Sequence, residues 1–221
     1  MADSEELRSD AVGRQKKKLE SRRRILDSAR DIFFRDGFMA ANLDEVAEKA
    51  GVAKGTLYRY FESKADLYVA VLAENGKVFT DKIVQASTAE PSSAVEQVRS
   101  ISKFYFAHWT EHPEYFQIFW ALDNQPVIGD LPGAVIDEVT RLWEQSLEIL
   151  DATLQRAVKD GEIADCDTWQ AANILWTLAN AIIQSESTMA RRGLRRRPLE
   201  EVYAEAIDLA LRGLRAGGES A

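Results

Sequence analysis

Residues Ala50–Lys64 read AGVAKGTLYRYFESK, with two glycines four positions apart and three aromatics crowded against three cations. A phosphate-binding Walker loop would place its glycines after a strand and end in a Lys-Ser/Thr pair at fixed spacing. Here the glycines follow a helical pattern and the spacing fails. The residues just upstream, Asn42–Gly51 (NLDEVAEKAG), explain why. Asn42 suits an N-cap, Glu45 stands three positions later as in a capping box, and Leu43, Val46, Ala47 and Ala50 share an inner face. Gly51 follows at the C′ position, where a left-handed backbone is cheap for glycine alone. The pattern predicts a helix over 43–50, a turn over Gly51–Ala53 and a second short helix over Lys54–Phe61. Ser63 then caps a longer helix that starts near Lys64 and passes Leu72.

Two short helices joined by a three- to four-residue turn containing glycine have the spacing of a helix-turn-helix. At 3.6 residues per turn, Leu57 and Phe61 fall on one side and point inward. Gly55, Thr56, Tyr58 and Arg59 then face outward. Gly55 keeps the surface low enough for close approach of a backbone or base, and Tyr58 is a bulky aromatic in need of a partner. Lys54 and Lys64 both stand at helix starts, which already favour anions. On spacing alone, a plain αα-corner with solvated charges remains an alternative.

Working outward, Ile25, Ala29, Ile32 and Phe33 form the apolar side of a preceding helix that Gly37 stops. Before it runs RQKKKLESRRR, Arg14–Arg24, readable either as a solvated charge run or as a phosphate-tracking arm leading into that helix. Residues 1–18 read as a disordered charged tail. The net charge of −8 divides unevenly. Residues 14–64 carry 13 Lys+Arg against 8 Asp+Glu, whereas residues 65–221 carry 14 against 24. A basic head and an acidic body suit different partners.

The body reads as helix throughout. Ser92–Ser93 precede a helix reaching about His108, another starts after Pro113, and NQPVIGDLPG is a loop. Further helices cover 134–159, about 167–189 (opened by Asp167 and Gln170 at capping-box spacing) and about 198–215. No period-2 strand and no internal repeat occurs. The expected fold is all-α, with about nine helices. Its parts are the tail at 1–18, a helix-turn-helix domain at 19–64, and a larger ligand-binding and dimerisation body at 65–221. The single cysteine, Cys166, permits no disulfide within the chain, and no apolar run of about 18 residues occurs. A cytoplasmic protein without a membrane segment is expected.

The stretch NLDEVAEKAGVAKGTLYRYFESKADLY closely resembles the N-terminal signature of the TetR (tetracycline-repressor) family of bacterial regulators, with the likeness running from about Ile25 to Leu72. The resemblance implies an all-α dimer whose three-helix head binds a palindromic operator in double-stranded DNA. A small ligand in the body usually releases it. Position by position, Lys54, Gly55, Thr56, Tyr58, Tyr60 and Lys64 match family positions that touch DNA. Lys54 and Thr56 would approach bases or phosphates, and Tyr58, Tyr60 and Lys64 would hold phosphates. Asn42 matches a helix-start position that also reaches the backbone, and Arg59 joins the set as an outward-facing cation. Ala53 departs from the pattern, standing where the family often has serine, so the recognition helix lacks a common N-cap.

The body's aromatics suggest an apolar or aromatic effector near Phe104, His108, Trp109, Phe116, Trp120, Trp143 and Trp176, although aromatics at helical spacing also build cores. Asn173, Asn180 and Gln184 lie along one helix and could orient a ligand or cross a dimer seam. Ala172, Leu175, Ala179, Ile182 and Ile183 form one apolar face, and Val202, Ala206, Leu209 and Ala210 another. The resemblance implies that such faces join two copies, while packing within one chain is the plainer alternative. No cofactor or metal is expected. One rival reading is a zinc hydrolase, because His108–His112 (HWTEH) fits H-x-x-E-H with Glu111 as base. Pro113, directly after it, disrupts a continuous metal helix. Another rival is a helical interaction module that uses RRGLRRRP, Arg191–Pro198, on an acidic partner.

Overall fold

The computed structural model describes residues 2–88, 93–113, 116 and 132–215. Nine α-helices are present among them: α1 (Ala2–Ala40), α2 (Leu43–Lys49), α3 (Lys54–Tyr60), α4 (Lys64–Thr88), α5 (Ala94–Glu111), α6 (Gly133–Lys159), α7 (Thr168–Gln184), α8 (Met189–Leu194) and α9 (Leu199–Leu214). A 3₁₀ turn, Ser185–Ser187, links α7 to α8. No strand occurs among the described residues, as the sequence implies.

The chain divides into two compact units. One holds the chain through Asn75 and the start of α6 up to Val139; the other holds Gly76–Phe116 and the chain from Thr140 onward. In the first unit, α1 is longer than the sequence suggests. Its helical backbone reaches Ala2, through the segment read as a tail. That segment contains no proline, and 12 of its 18 residues are the good helix formers Ala, Glu, Leu, Arg, Lys, Gln and Met, so a helix nucleated downstream can propagate through it. Gly37 breaks the helical run at φ +75, leaving one further turn to Ala40. Ile25, Leu26, Ala29, Ile32 and Phe33 of α1 are buried, together with Val46, Leu57, Leu67 and Val71 from the next three helices. Phe33 meets Tyr68 edge-on at 4.7 Å, and Tyr68 in turn lies 5.1 Å from Phe38.

The caps follow the sequence closely. The Asn42 side chain accepts the Asp44 N–H at 2.8 Å, and Gly51 adopts φ +65. Ser63 Oγ accepts the Asp66 N–H at 3.0 Å, and Asp167 accepts from Gln170 at 3.0 Å. Ala53 offers α3 no side-chain cap. One expectation changes: Glu45 does not close a capping box, because its carboxylate reaches Arg35 at 2.8 Å instead. A charge-assisted pair outweighs a bond to an exposed N–H.

In the second unit, α5, α7 and α9 pack together around side chains that include Val98, Tyr105, Ala172, Leu175, Ala179, Ile183, Tyr203, Ile207 and Leu211. Most of the α7 face expected at a dimer seam is therefore buried within the chain's own core. Glu162, just past α6, accepts the Ala94 and Val95 N–H groups at 2.8 and 2.9 Å. The positive end of α5 holds this carboxylate below its ordinary range through those backbone hydrogen bonds, against the opposing effect of desolvation. Arg99 bridges α5 to Asp208 of α9 at 2.8 Å. The Tyr203 hydroxyl donates to the Ser102 carbonyl at 3.0 Å.

Candidate nucleic-acid interface and effector region

The geometry of α3 follows from its seven residues. Leu57 is fully buried and Phe61 nearly so, which fixes the rotation of the helix. Lys54, Gly55, Tyr58 and Arg59 are exposed, and Thr56 is half-buried. Tyr58 presents 44% of its surface to solvent. Nothing lies within 4 Å of where a Cβ on Gly55 would stand, so this side of the helix is open to a close approach. An outward row of one ammonium, one guanidinium, one hydroxyl and one phenol can donate to phosphates or to base edges.

Other members of the expected set hydrogen-bond to the chain's own backbone. The Tyr60 hydroxyl donates to the Lys18 carbonyl at 3.2 Å. Lys64 donates to the Met39 carbonyl at 2.9 Å and lies 5.3 Å from the centre of the Phe38 ring. Its cation thereby meets a carbonyl in the last turn of α1, and burial pulls its pKa below the ordinary lysine value. Asn42 spends its side-chain oxygen on the α2 cap. The polar atoms of these three, expected at the interface, also serve α1 and α2.

Ion pairs that no local pattern announces surround the motif. Lys54 meets Asp44 at 2.6 Å, Lys49 meets Asp31 at 2.9 Å, and Arg35 holds both Asp36 and Glu45. The hydrogen bond to Asp44 raises the Lys54 pKa. Arg59 has no carboxylate partner among the described residues.

In the second unit, Phe104, His108, Trp109 and Phe116 come together as one aromatic group, centred on a residue the sequence reading passed over. Phe79 of α4 lies 5.6 Å from Phe104, 4.9 Å from His108 and 5.2 Å from Trp109. Trp109 reaches Phe116 at 5.8 Å. Trp143 and Trp176 form a separate pair at 5.4 Å. Trp120 lies outside the described residues. Periodicity within α4 marks Phe79 as apolar but cannot say which helix its ring meets.

Beside Trp176 is a cavity of 30 Å³ lined by Ile83, Ile101, Tyr105, Leu150, Leu175 and Ala179, room for about one water. The Tyr105 hydroxyl donates to Asn180 Oδ1 at 2.6 Å. Asn180 is fully buried, and its Nδ2 has no partner among the described residues. Burial pushes the His108 pKa down to about 4, helped by His112 and Lys82 nearby. His112 is the α5 C-cap with non-helical backbone, so the H-x-x-E-H pattern does not lie on one continuous helix. Among the described residues no group of three His, Cys, Asp or Glu is gathered as a metal-ligand set.

Three comparisons bear on these surfaces. Residues 25–71 match the family described as "Bacterial regulatory proteins, tetR family". Residues 127–200 match "Tetracyclin repressor-like, C-terminal domain". Among curated relatives, the HTH-type transcriptional regulator YxaF of Bacillus subtilis is 25% identical over 196 residues, covering 87% of this chain and 96% of that protein. The HTH-type transcriptional activator FasR of Mycolicibacterium smegmatis is 47% identical over 53 residues, 24% of each chain. Among solved structures, the fold is similar to the transcriptional regulator FadR from Bacillus subtilis in complex with stearoyl-CoA. The TM-score is 0.70 at 19% identity, over 87% of this chain and 98% of that one.

Proposed function

The chain belongs to the tetR family of bacterial regulatory proteins, which are DNA-binding transcriptional regulators, and from that premise we propose that it represses transcription as a homodimer on a palindromic operator and is released by an apolar or aromatic small molecule. The observation that carries the DNA reading is the outward side of α3, where Lys54, Gly55, Thr56, Tyr58 and Arg59 face solvent while Leu57 is sealed in the core. A dimer presents two such helices to half-sites one helical turn apart. Trp169 and Ile174 of α7 and Leu209 of α9 support the pairing, because all three are large apolar side chains left exposed on the last long helices.

The effector reading rests on the aromatic group around Phe79 and on the Trp143–Trp176 pair, an apolar lining with the Tyr105–Asn180 pair as a polar handle nearby. The acyl-CoA in the similar FadR structure agrees with an apolar effector. The 30 Å³ cavity beside Trp176 holds about one water, so an effector seated at that spot would require the helices around it to part. No helix among the described residues is long and apolar enough to cross a membrane, in keeping with a cytoplasmic site of action. A regulator of this kind needs no catalytic group.

The deciding experiment selects duplex DNA from a random pool with the purified protein at near-physiological salt. A palindrome of two half-sites is expected. Binding without any sequence preference would overturn the operator reading. Fluorescence polarisation on the selected duplex, with a panel of acyl and aromatic compounds, then tests release.

A further inference from the structure

We infer that the basic side of α1 between Lys17 and Arg24 is a second DNA-contacting surface, a phosphate seat that tracks the duplex backbone beside the recognition helix. The inference rests on the DNA-binding reading above and adds a site on a different element. Lys17, Ser21 and Arg24 stand at i, i+4 and i+7, so one side of α1 carries all three. Lys17, Lys18 and Arg24 are exposed and have no carboxylate partner among the described residues, whereas Arg23 shares its charge with Asp27. Lys17, Lys18 and Ser21 form one wall of an open groove whose other wall is Arg59 and Tyr60 of α3.

Two contacts fix this groove against the reading helix. The Tyr60 hydroxyl holds the Lys18 carbonyl. At the other end, the Arg24 guanidinium lies by the turn between α2 and α3, 3.6 Å from where a Cβ on Gly51 would stand. The cations therefore ride on a helix that moves with α3. From Lys17 to Arg24 the rise is about 10 Å, the reach of two or three neighbouring phosphates of one DNA strand. A row of cations at that length fits two or three consecutive phosphates, and each neutralised phosphate adds about 0.9 to the slope of log K against log salt. Such contacts add affinity and register without reading sequence.

The test uses the full chain and its selected duplex. Binding is measured from low to physiological salt for the wild type and for the Lys17→Gln/Lys18→Gln/Arg24→Gln variant. The variant is expected to bind at least tenfold more weakly, with a salt slope lower by about 2 to 3, while selecting the same motif from the random pool. Hydroxyl-radical footprints should lose protection at the flanking backbone only. An unchanged slope and footprint in a variant that still selects the motif would overturn the phosphate seat and leave the operator reading standing. A wild type that selects no motif would overturn the operator reading itself. If its binding then lacked any salt dependence attributable to the three cations, the seat would fall with it. Circular dichroism of the variant checks that α1 remains helical.

Discussion

The Lys54 ammonium, on the first residue of α3, lies 2.6 Å from the Asp44 carboxylate near the start of α2. The cation best placed to meet DNA is thus already bound to an acid of the same motif. On the proposed function, DNA binding through Lys54 exchanges that carboxylate for a phosphate or a base, and the exchange cancels part of the electrostatic gain.

Asp44→Asn should therefore tighten binding to DNA. The gain should be larger in relative terms on a scrambled duplex than on the operator, so the specificity ratio falls. The check is a salt titration on both duplexes, where the variant's slope should be steeper by up to about 1. Equal affinities for wild type and variant on both duplexes would mean that the pair costs binding nothing.

Tyr58→Ala and Lys54→Ala should each weaken operator binding by about tenfold to a hundredfold, the scale of one or two good contacts. Melting temperature and dimer mass should not change, because both side chains are exposed. Leu57→Ala is the contrasting case. Its side chain is fully buried, and its removal should cost about 2–5 kcal/mol of stability by chemical denaturation.

Ala53→Ser should stabilise the head by about 0.5–2 kcal/mol. Ala53 has the extended backbone of an N-cap, φ −68 and ψ 147, but no side-chain oxygen for the first N–H groups of α3. Denaturant unfolding of the two proteins reads the difference.

Tyr105→Phe should cost about 1–3 kcal/mol. Asn180 would lose the hydrogen bond from the Tyr105 hydroxyl while remaining fully buried. If the effector draws on this polar pair, the same variant should also alter the concentration needed for release, read by fluorescence polarisation.

His108 sets a pH dependence. Its folded pKa, pushed down to about 4, lies below the ordinary value of 6.5, so the unfolded chain binds more protons between those limits. Stability should be fully retained above pH 6.5 and decline as pH falls toward about 4. His108→Gln should flatten the decline between pH 6.5 and 5, a window above the ordinary carboxylate range. Thermal melts at half-unit pH steps give the comparison, and an equal decline in both proteins would assign the protons elsewhere.

The local part of this molecule was legible in the sequence because its causes are local. Asn42, Ser63 and Asp167 cap helices through bonds two or three residues away. Gly37 and Gly51 take the positive φ that other residues resist. The spacing of Leu57 and Phe61 fixes which side of α3 looks outward, so the exposed row from Lys54 to Arg59 could be named without coordinates. Only tertiary structure decided what depends on distant partners. Lys54 faces Asp44, Lys64 is drawn onto the end of α1, Phe79 gathers the aromatics of α5, and Tyr60 fastens α3 to Lys18. Periodicity tells which side of a helix is apolar or charged. Which neighbour that side meets depends on how the helices pack, and nothing within three or four residues encodes that.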